Sequence, residues 1–460
     1  MPRTSRSTSS SPNRTRPELD VEQAWAWLDA HVNLESTGLP PGADRRASAP
    51  TLKRIEELLR LLGSPEESYP VIHLTGTNGK TSVARMTSAL LEASGLSVGS
   101  YTSPHLEDVN ERIAWNGEAV DDETLARLLT RIADVEPHLP DPPSYFEILT
   151  AAAFTWFSDI AVDAAVVEVG VGGTWDATNV VDGRVAVVTN VSVDHVEYLG
   201  PTREQIAAEK AGIVKHGSTL VLGETDAALI GTFRDRGAST VEARGDDFGV
   251  AGNRPAHRGR LVDLFTPDAR YDNVYLPLHG AHQADNAAAA LAAAEAFLGR
   301  PLSEQVVTDA FATVESPGRL EVVQHQPLVL LDGAHNVAGA RALCAALVEE
   351  FPSSPRTLLV GLLREKEPHE MLAALEVQRV ARLVCCRPPS PRALDPAEVA
   401  AAAVDLGVSP ARVQTVDSVD GAVASALEVT GADQQIIVTG SLYTVGAARH
   451  ALLHPAGGNG

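Results

Sequence analysis

Short apolar runs alternate with amphipathic stretches along most of this chain, from Val71 onwards. The first series of runs reads VIHLT, LSVGSY, DAAVVEVG, RVAVVTNV and STLVLG. Runs of this length without polar alternation are typical of buried parallel strands. Helical patterns separate them, including residues 80–94, 145–157 and an Ala-rich stretch at about 283–298. The pattern predicts an α/β domain with helices on both faces of a sheet.

A second series of apolar runs follows a Pro-Gly break in ESPGRLE, residues 315–321. It reads PLVLLDG, RTLLVGLL, ARLVCC, RVQTV and QQIIVTG, again with helical patterns between the runs. We therefore predict a large domain over 18–316 and a smaller Rossmann-like domain over 317–460. Further helices are predicted at about 20–32 and 51–62. Residues 1–17 are rich in Ser, Arg and Pro, which predicts a disordered tail and excludes a secretory signal.

Composition narrows the classes of function. Apolar residues make up 44% of the chain, and no apolar run approaches the ~20 residues of a membrane helix. The formal charge of -23 argues against nucleic acid as a partner and favours a solvated acidic surface. Three cysteines, Cys344, Cys385 and Cys386, are too few and too clustered for a disulfide framework. We expect a cytoplasmic protein that binds neither membranes nor nucleic acid.

Lysine is scarce in this chain, since only 5 of its 37 basic residues are lysine. They are Lys53, Lys80, Lys210, Lys215 and Lys366. Arginine and lysine differ in geometry and in acid–base behaviour. A lysine that is kept in such a chain therefore suggests a task that arginine cannot perform.

A candidate phosphate loop, HLTGTNGKTS, spans residues 73–82 between a predicted strand and a predicted helix. Small residues let backbone N–H groups face a polyphosphate at a helix N-terminus, where Lys80 adds a point charge. The residues assigned to it are Thr77, Asn78, Gly79, Lys80, Thr81 and Ser82. The standard pattern has a glycine six residues before the lysine, where this chain has Leu74. An ordinary glycine turn is the alternative.

Glu168 and His195 each lie at the end of an apolar strand, where ligands bind in α/β sheets. Beside a phosphate loop, they are candidates to share one metal ion, although Mg²⁺ prefers oxygen ligands and a histidine is unusual. The alternative is that both are structural. Lys210 lies in IAAEKAGIVK next to Glu209, a pattern that also fits a surface helix with alternating charges.

Several motifs together resemble the folylpolyglutamate synthase/dihydrofolate synthase family of the Mur ligase superfamily. They are HLTGTNGKTSVARM, TSPHLEDVNERI, SYFEILTAAAF, VVEVGVGGTWDATNVV, VSVDHVEYLGPTREQIAAEKAGIVK, HGAHQADNA, SPGRLE, LDGAHN and TGSLYTVGAAR, in family order from about residue 70 to 450. The resemblance implies a P-loop-type Mur ligase ATPase domain followed by a smaller Rossmann-like glutamate ligase domain.

The resemblance also implies roles for individual residues. Lys80 and its loop would hold ATP, with Asn286, Arg319 and Asp332 contacting the nucleotide from the domain junction. Ser103, Glu168 and His195 would ligate Mg²⁺, and a carbamylated Lys210 would serve a second Mg²⁺. On this basis Lys80, Lys210 and His195 are the expected catalytic residues. Ser144, Phe146, Trp175, Asp176 and Ala177 match the pterin-side positions, and His335 and Ser441 are expected near the incoming glutamate.

Two stretches depart from the family pattern. GGTWDATN replaces the frequent GGRLDATN, so that Thr174 and Trp175 stand beside the expected pterin pocket. An indole there could stack on a flat pterin or simply close the turn as a core aromatic. GLLREKE stands where DKD-like sequences are common, and Lys366 fits that pattern while Arg364 and Glu365 do not.

The expected function is ATP-dependent ligation of L-glutamate to dihydropteroate and to folate glutamates through an acyl phosphate. Small molecules are the only expected partners, and the protein is expected to be a monomer. A folylpolyglutamate synthase without dihydrofolate synthase activity is one alternative. A cell-wall Mur ligase is less favoured, because only about 70 residues precede the loop, too few for a UDP-binding domain. A non-catalytic nucleotide switch would not need the second domain.

Overall fold

The computed structural model describes residues 18–38, 52–352 and 355–454. The predicted disordered tail at 1–17 lies outside these residues. Within the described ranges, no helix is both long and apolar enough to span a bilayer.

The elements alternate along the chain much as the apolar pattern predicts. The strands are β1 Val71–Thr75, β2 Val98–Tyr101, β3 Ile113–Trp115, β4 Glu118–Ala119, β5 Ala164–Glu168, β6 Gly183–Val188, β7 Thr219–Leu222, β8 Thr240–Ala243, β9 Gly249–Ala256, β10 Gly259–Phe265, β11 Arg270–Leu276, β12 Glu321–His325, β13 Leu328–Leu331, β14 Arg356–Val360, β15 Arg382–Cys386, β16 Val413–Val416 and β17 Gln435–Thr439. The helices are α1 Val21–Asp29, α2 Leu34–Thr37, α3 Leu52–Leu62, α4 Lys80–Ala93, α5 Asp122–Val135, α6 Tyr145–Asp159, α7 Val196–Leu199, α8 Arg203–Lys210, α9 Ala227–Arg234, α10 His282–Leu298, α11 Glu304–Ala312, α12 Val337–Glu350, α13 Pro368–Ala374, α14 Pro396–Asp405, α15 Val419–Val429 and α16 Leu442–Leu453.

The first sheet has eight strands in the order β4-β3-β2-β5-β1-β6-β7-β8. Six of these strands run parallel to one another, namely β2, β5, β1, β6, β7 and β8. The five strands predicted from apolar runs are all present, and β1 is buried along its whole length. Because β1, β5 and β6 are neighbours, their carboxyl ends bring the phosphate loop, Glu168 and the segment that carries His195 to one edge.

The Ala-rich helix α10 packs between the first sheet and the rest of the large domain. Its alanines from Ala287 to Ala294 are at most 3% exposed, and α10 contacts α4 as well as β6 and β7. Small side chains let the helix approach its neighbours closely, and this explains why so many alanines form core here.

A small antiparallel sheet, in the order β11-β10-β9, was not predicted from the sequence. Strand β9 reads GVAGNRPA, with glycine, asparagine and proline that disfavour strands on their own. Pairing with β10 makes it a strand, while Val262 and Leu264 of β10 join the core beneath α10. Tertiary pairing therefore overrides local preference in this segment.

The third sheet has six strands in the order β12-β13-β17-β14-β15-β16. All strands except β12 run parallel, and helices α12–α16 flank them, as expected for a Rossmann-like unit. The α/β organisation predicted for both halves is confirmed, although α1 ends at Asp29 rather than near residue 32. The proposed domain division at residue 317 stays a prediction.

Candidate functional site

The phosphate loop joins β1 to α4 and is fixed by the end of β6. Thr77 Oγ1 donates to the Ser192 carbonyl at 3.1 Å, and Thr189 Oγ1 donates to the Asn78 carbonyl at 2.7 Å. Asn190 adds a third contact, since its Oδ1 accepts a hydrogen bond from the Asn78 N–H at 3.1 Å. The loop geometry is therefore set by hydrogen bonds with the segment that follows β6.

The first turn of α4 has no side-chain cap, because Gly79 occupies the N-cap with φ 84°. Backbone N–H groups of an uncapped first turn are free to bind an anion. A methyl group at Gly79 would lie 2.4 Å from Asn286 Oδ1, so glycine lets α10 approach the loop. Asn286, predicted to contact the nucleotide, is thereby placed against the phosphate loop.

Glu168 ends β5 directly beside the loop and is only 1% exposed. Thr81 Oγ1 donates to its two carboxylate oxygens, at 2.9 and 3.1 Å. Burial raises the pKa of Glu168, while the nearby Lys80 charge acts in the opposite direction. Ser103 is 4% exposed, and its hydroxyl is buried without a hydrogen-bond partner among the described residues. An acid and an unpaired hydroxyl thus meet at the phosphate side.

His195 precedes α7 with φ 49°, a left-handed conformation that is uncommon outside glycine. Burial lowers the pKa of His195 below its ordinary value, and the charges of Lys366 and His335 act in the same direction. The negative charge of Asp194 acts in the opposite direction. The ring is thus neutral near pH 7, the form in which histidine binds metals.

Asp194 connects the two halves of the molecule and was not predicted as a site residue. Its carboxylate accepts hydrogen bonds from Asn336 Nδ2 at 2.9 Å and from Lys366 Nζ at 2.5 Å. Although burial opposes the effect, His195, His335 and Lys366 hold the pKa of Asp194 well below its ordinary value. Its position beside His195 and the rarity of lysine were the only sequence signals for this ion pair.

Lys210 ends α8 behind the phosphate loop and is 4% exposed. Its Nζ donates to the Gly76 carbonyl at 2.7 Å. Burial, together with the Lys80 charge, lowers the pKa of Lys210 to about 7. Lys210 does not lie on a surface helix face, and the alternative of alternating surface charges is therefore wrong.

A central cavity of about 530 Å³ opens between the two halves of the chain. All predicted site residues except Lys210 line it. These are Thr77, Asn78, Gly79, Lys80, Thr81, Ser82, Ser103, Ser144, Phe146, Glu168, Trp175, Asp176, Ala177, His195, Asn286, Arg319, Asp332, His335 and Ser441. Residues separated by more than 350 positions in the chain therefore line one cavity.

The domain-junction residues form the wall opposite the phosphate loop. Asp332 accepts from the backbone N–H groups of Leu320 and Ala334, both at 3.0 Å. Burial raises its pKa, against the neighbouring Arg319 charge. A methyl group at Gly333 would lie 2.1 Å from Arg319 Nη1, so the glycine leaves room for this guanidinium.

The predicted pterin-side residues fall into two groups: those that are held in hydrogen bonds and those whose rings line the cavity. Ser144 caps α6 and donates to Glu147 Oε2 at 2.7 Å, and Asp176 uses both carboxylate oxygens to hold Val171 and Thr178. These groups shape the wall. Phe146 and Trp175 instead present rings to the cavity, and the Trp175 ring lies 6.4 Å from that of Tyr198. The aromatic pair was only half predicted, because Tyr198 has no distinctive sequence signal.

The C-terminal residues reach the cavity from the third sheet. His335 donates through Nδ1 to the Gly333 carbonyl at 2.8 Å, which leaves its Nε2 3.3 Å from Asp194 Oδ2. Ser441 caps α16 and is 2% exposed, with its Oγ accepting from the Thr444 N–H at 3.1 Å. His335 is therefore the more accessible of the two.

Comparison with known proteins identifies the family of this chain. Residues 74–294 match the Mur ligase middle domain, and residues 318–442 match the Mur ligase glutamate ligase domain. The dihydrofolate synthase/folylpolyglutamate synthase of Mycobacterium tuberculosis is 40% identical over 437 residues, with 87% of this chain and 89% of that protein covered. This chain belongs to the dihydrofolate synthase/folylpolyglutamate synthase family.

Solved structures of family members agree with the fold. The Mycobacterium tuberculosis folylpolyglutamate synthase complexed with ADP has a TM-score of 0.87 and 38% identity, covering 94% of this chain and 98% of that one. An E. coli FolC structure in complex with DHPP and ADP has a TM-score of 0.79 and 29% identity, covering 93% and 97%. The predicted family, the Mur ligase fold and the enzyme class, an ATP-dependent ligase, are confirmed.

Proposed function

We propose that this protein joins L-glutamate to dihydropteroate and to folate glutamates, with ATP as the source of energy. The observation that carries the proposal is the shared cavity, in which the phosphate loop faces Arg319, Asp332 and His335 of the C-terminal half. A nucleotide switch would not need this second wall. We also propose that the enzyme acts as a monomer, since both walls of the cavity come from the same chain. A reducing cytoplasm fits its three free cysteines.

The chemistry requires activation of a carboxylate, because hydroxide is a poor leaving group. The acceptor carboxylate attacks the γ-phosphorus of ATP, the bond to the β-phosphate oxygen breaks, and ADP leaves. Lys80 offsets negative charge on the phosphoryl group while it is transferred. The amine of glutamate then attacks the acyl phosphate, and collapse of the tetrahedral intermediate releases phosphate and leaves an amide. Enclosure between the two halves keeps water from the acyl phosphate.

The donor set beside the phosphate loop fits Mg²⁺. The Ser103 hydroxyl is buried without a partner, Glu168 is a buried carboxylate, and His195 is a neutral imidazole. These three residues would hold one ion. When bound, Mg²⁺ neutralises phosphate charge and orients the phosphoryl group. Oxygen atoms supply two of the three ligands, as this ion prefers.

We further propose that Lys210 carries a carbamate. A buried lysine with a pKa of about 7 is partly neutral at physiological pH, and a neutral amine adds to CO₂ to give a carbamate and one proton. The carbamate nitrogen keeps a hydrogen for the Gly76 carbonyl, which accepts from Nζ at 2.7 Å. The new carboxylate would serve as an oxygen ligand for a second Mg²⁺, which arginine cannot provide.

The carbamate is tested by comparing Lys210→Arg with Lys210→Ala. Arginine keeps the charge but cannot form the ligand, and so both variants should be inactive to the same degree. Carbon-13 NMR of the wild type in ¹³C-bicarbonate should show a carbamate resonance that Lys210→Arg lacks. An active wild type without that resonance would contradict the carbamate, as would an active Lys210→Arg variant.

The reaction itself is tested by ADP release with each acceptor. Release should require both L-glutamate and either dihydropteroate or tetrahydrofolate, and mass spectrometry should find the acceptor one glutamate heavier. A UDP-muramoyl acid should be inert. Glutamate-independent ADP release would favour a switch, and activity with tetrahydrofolate alone would leave folylpolyglutamate synthase as the function.

A further inference from the structure

Two loops of the C-terminal half meet at the carboxyl edge of the third sheet. The loop after β14 carries Glu365, and the loop after β15 carries Arg392. Backbone hydrogen bonds join the loops: Leu394 N–H donates to the Leu362 carbonyl and Arg364 N–H donates to the Arg392 carbonyl, both at 2.9 Å. This short ladder fixes Glu365 and Arg392 side by side on the wall of the central cavity.

The two charged side chains use little of their hydrogen-bonding capacity on each other. Arg392 Nη1 lies 3.4 Å from Glu365 Oε1, longer than the 2.7–2.9 Å expected for a strong charge-assisted hydrogen bond. Arg392 Nε and Glu365 Oε2 are both buried and have no hydrogen-bond partner among the described residues. The pair therefore leaves one donor and one acceptor of opposite charge without a partner, a costly arrangement unless something else completes it.

Two other cations of the cavity wall are better paired. Lys366 Nζ lies 2.5 Å from Asp194 Oδ1, and Arg244 Nη1 lies 2.8 Å from Asp285 Oδ2. Lys80 and Arg319 face the phosphate side, where both act on the pKa of Glu168. Arg392 is thus the wall cation with the clearest unused capacity for a carboxylate away from the phosphates.

The Glu365–Arg392 pair also lies close to the proposed reaction centre. Lys366, the next residue after Glu365, binds Asp194 beside His195. Tyr198 lies within the field of both charges, which act on its pKa after the larger effects of burial and Glu197. The ring of Tyr198 is 6.5 Å from that of His195.

The N-terminal segment closes over the pair. Gly38 has φ 70°, and a methyl group there would lie 3.1 Å from Arg392 Cδ and 3.3 Å from Glu365 Oε1. The pair therefore lines a covered part of the cavity rather than an open surface.

We propose that Glu365 and Arg392 bind the head group of the incoming amino acid. The Arg392 guanidinium takes the α-carboxylate, and the Glu365 carboxylate accepts a hydrogen bond from the α-amino group. An α-amino acid presents a carboxylate and an amine on one carbon, which complements an adjacent donor and acceptor of opposite charge. This assignment rests on the proposed function. It gives the departure from the family pattern at Glu365 a role in substrate binding.

The test uses steady-state kinetics with dihydropteroate as the acceptor, because this acceptor carries no glutamate of its own. In Arg392→Gln, the KM for L-glutamate should rise about 10- to 100-fold, as expected for loss of a hydrogen bond to a charged group. Glu365→Gln should also raise it, and the KM values for ATP and dihydropteroate should stay within about twofold. Arg387→Gln is the matched control, since Arg387 pairs with Asp395 outside the cavity lining.

Substrate analogues separate binding from a structural role. The wild type should strongly prefer L-glutamate to 4-aminobutyrate, which lacks the α-carboxylate, and Arg392→Gln should lose most of that preference. Unchanged discrimination, or an equal rise in the KM values of all three substrates, would overturn the proposal. A rise confined to folate glutamates as acceptors would assign the pair to the acceptor tail instead.

A direct measurement of L-glutamate binding tests the site without depending on turnover. Calorimetric titration of L-glutamate into the full chain with ADP should show weaker binding to Arg392→Gln than to wild type. Equal affinity in both would contradict the assignment. Loss of ligation by the wild type together with an intact affinity difference would instead count against the proposed reaction and not against the site.

Discussion

Buried carboxylates illustrate how neighbours decide the role of a residue. Glu168 ends β5, Asp194 lies in the segment after β6, and both are buried. Burial dominates for Glu168 and raises its pKa, whereas His195, His335 and Lys366 hold the pKa of Asp194 low. A further cation would therefore stabilise the buried carboxylate of Glu168, while Asp194 already has Lys366 as a counter-charge. This contrast favours Glu168 as the metal ligand and Asp194 as the group that orients Lys366 and His335.

Lys80 is expected to be essential for phosphoryl transfer. Lys80→Ala removes a point charge from the first residue of α4, and ATP turnover should fall by at least about 100-fold. The melting temperature should stay near that of wild type. Lys53→Ala, on the exposed side of α3, should retain full turnover. Near-normal turnover of Lys80→Ala at saturating ATP would rule out this role.

Trp175 is expected to bind the flat rings of the acceptor. Stacking on an aromatic face is worth ~0.5–1.5 kcal/mol beyond area burial, and Trp175 already faces Tyr198 across 6.4 Å. Trp175→Ala should weaken the use of dihydropteroate more than that of tetrahydrofolate. Trp115→Ala, at an indole that is 43% exposed, should change neither. Equal loss of both activities would mean that Trp175 only closes the turn.

At the scale of elements, the small antiparallel sheet acts as a tether between the two halves. Arg260 of β10 is 1% exposed, and its Nη1 contacts Glu349 and Glu350 at the end of α12. Glu350 also accepts from His279 Nδ1 at 2.7 Å and from the Gly280 N–H at 2.8 Å. A sheet that the sequence pattern did not predict thus carries a buried ion cluster across the domain junction.

Removal of Arg260 should be strongly destabilising. Arg260→Ala leaves Glu350 without its main counter-charge, which costs about 3–5 kcal/mol for a buried pair. Denaturant unfolding should show this loss or a separate early transition of one half. Arg270→Ala breaks an ion pair with Asp272 in which both side chains are more than half exposed, and it should cost less than about 1 kcal/mol. Equal costs for the two variants would show that the tether contributes little.

At the scale of the whole molecule, we expect catalysis to depend on how closely the two halves meet. Helix α16 packs on the segment after β2, and a methyl group at Gly446 would lie 2.0 Å from the Leu106 carbonyl oxygen. Tyr443 on the same helix donates to the Glu35 carbonyl at 3.0 Å. The helix that carries Ser441 at its start is therefore seated against the segment that carries Ser103.

Gly446→Ala should separate these two surfaces. Because the clash is with backbone, the segment or the helix must shift, and a displacement of this size can cost about 10- to 100-fold in kcat. Gly231→Ala is the control, since nothing lies within 4 Å of its added methyl group, and it should leave kcat unchanged. A fully active Gly446→Ala would show that close docking of α16 is not needed.

The sequence by itself determined most strands of the two parallel sheets, the phosphate loop and the family. Those features are local: an apolar run sets a strand, a glycine before a lysine at a strand end sets the loop, and both lie within a few residues of one another. Nearly all candidate site residues could be named for the same reason, since each stands in a short motif or at a strand end.

Only the tertiary structure decided what those residues touch. The Asn336–Asn78 and Tyr443–Glu35 contacts join residues 258 and 408 positions apart. The strand pairing of β9 and the unsatisfied atoms of Glu365 and Arg392 likewise depend on neighbours that no local pattern encodes. Hydrogen bonding and burial are properties of the folded surroundings, so partner choice and pKa became visible only when the distant segments were brought together.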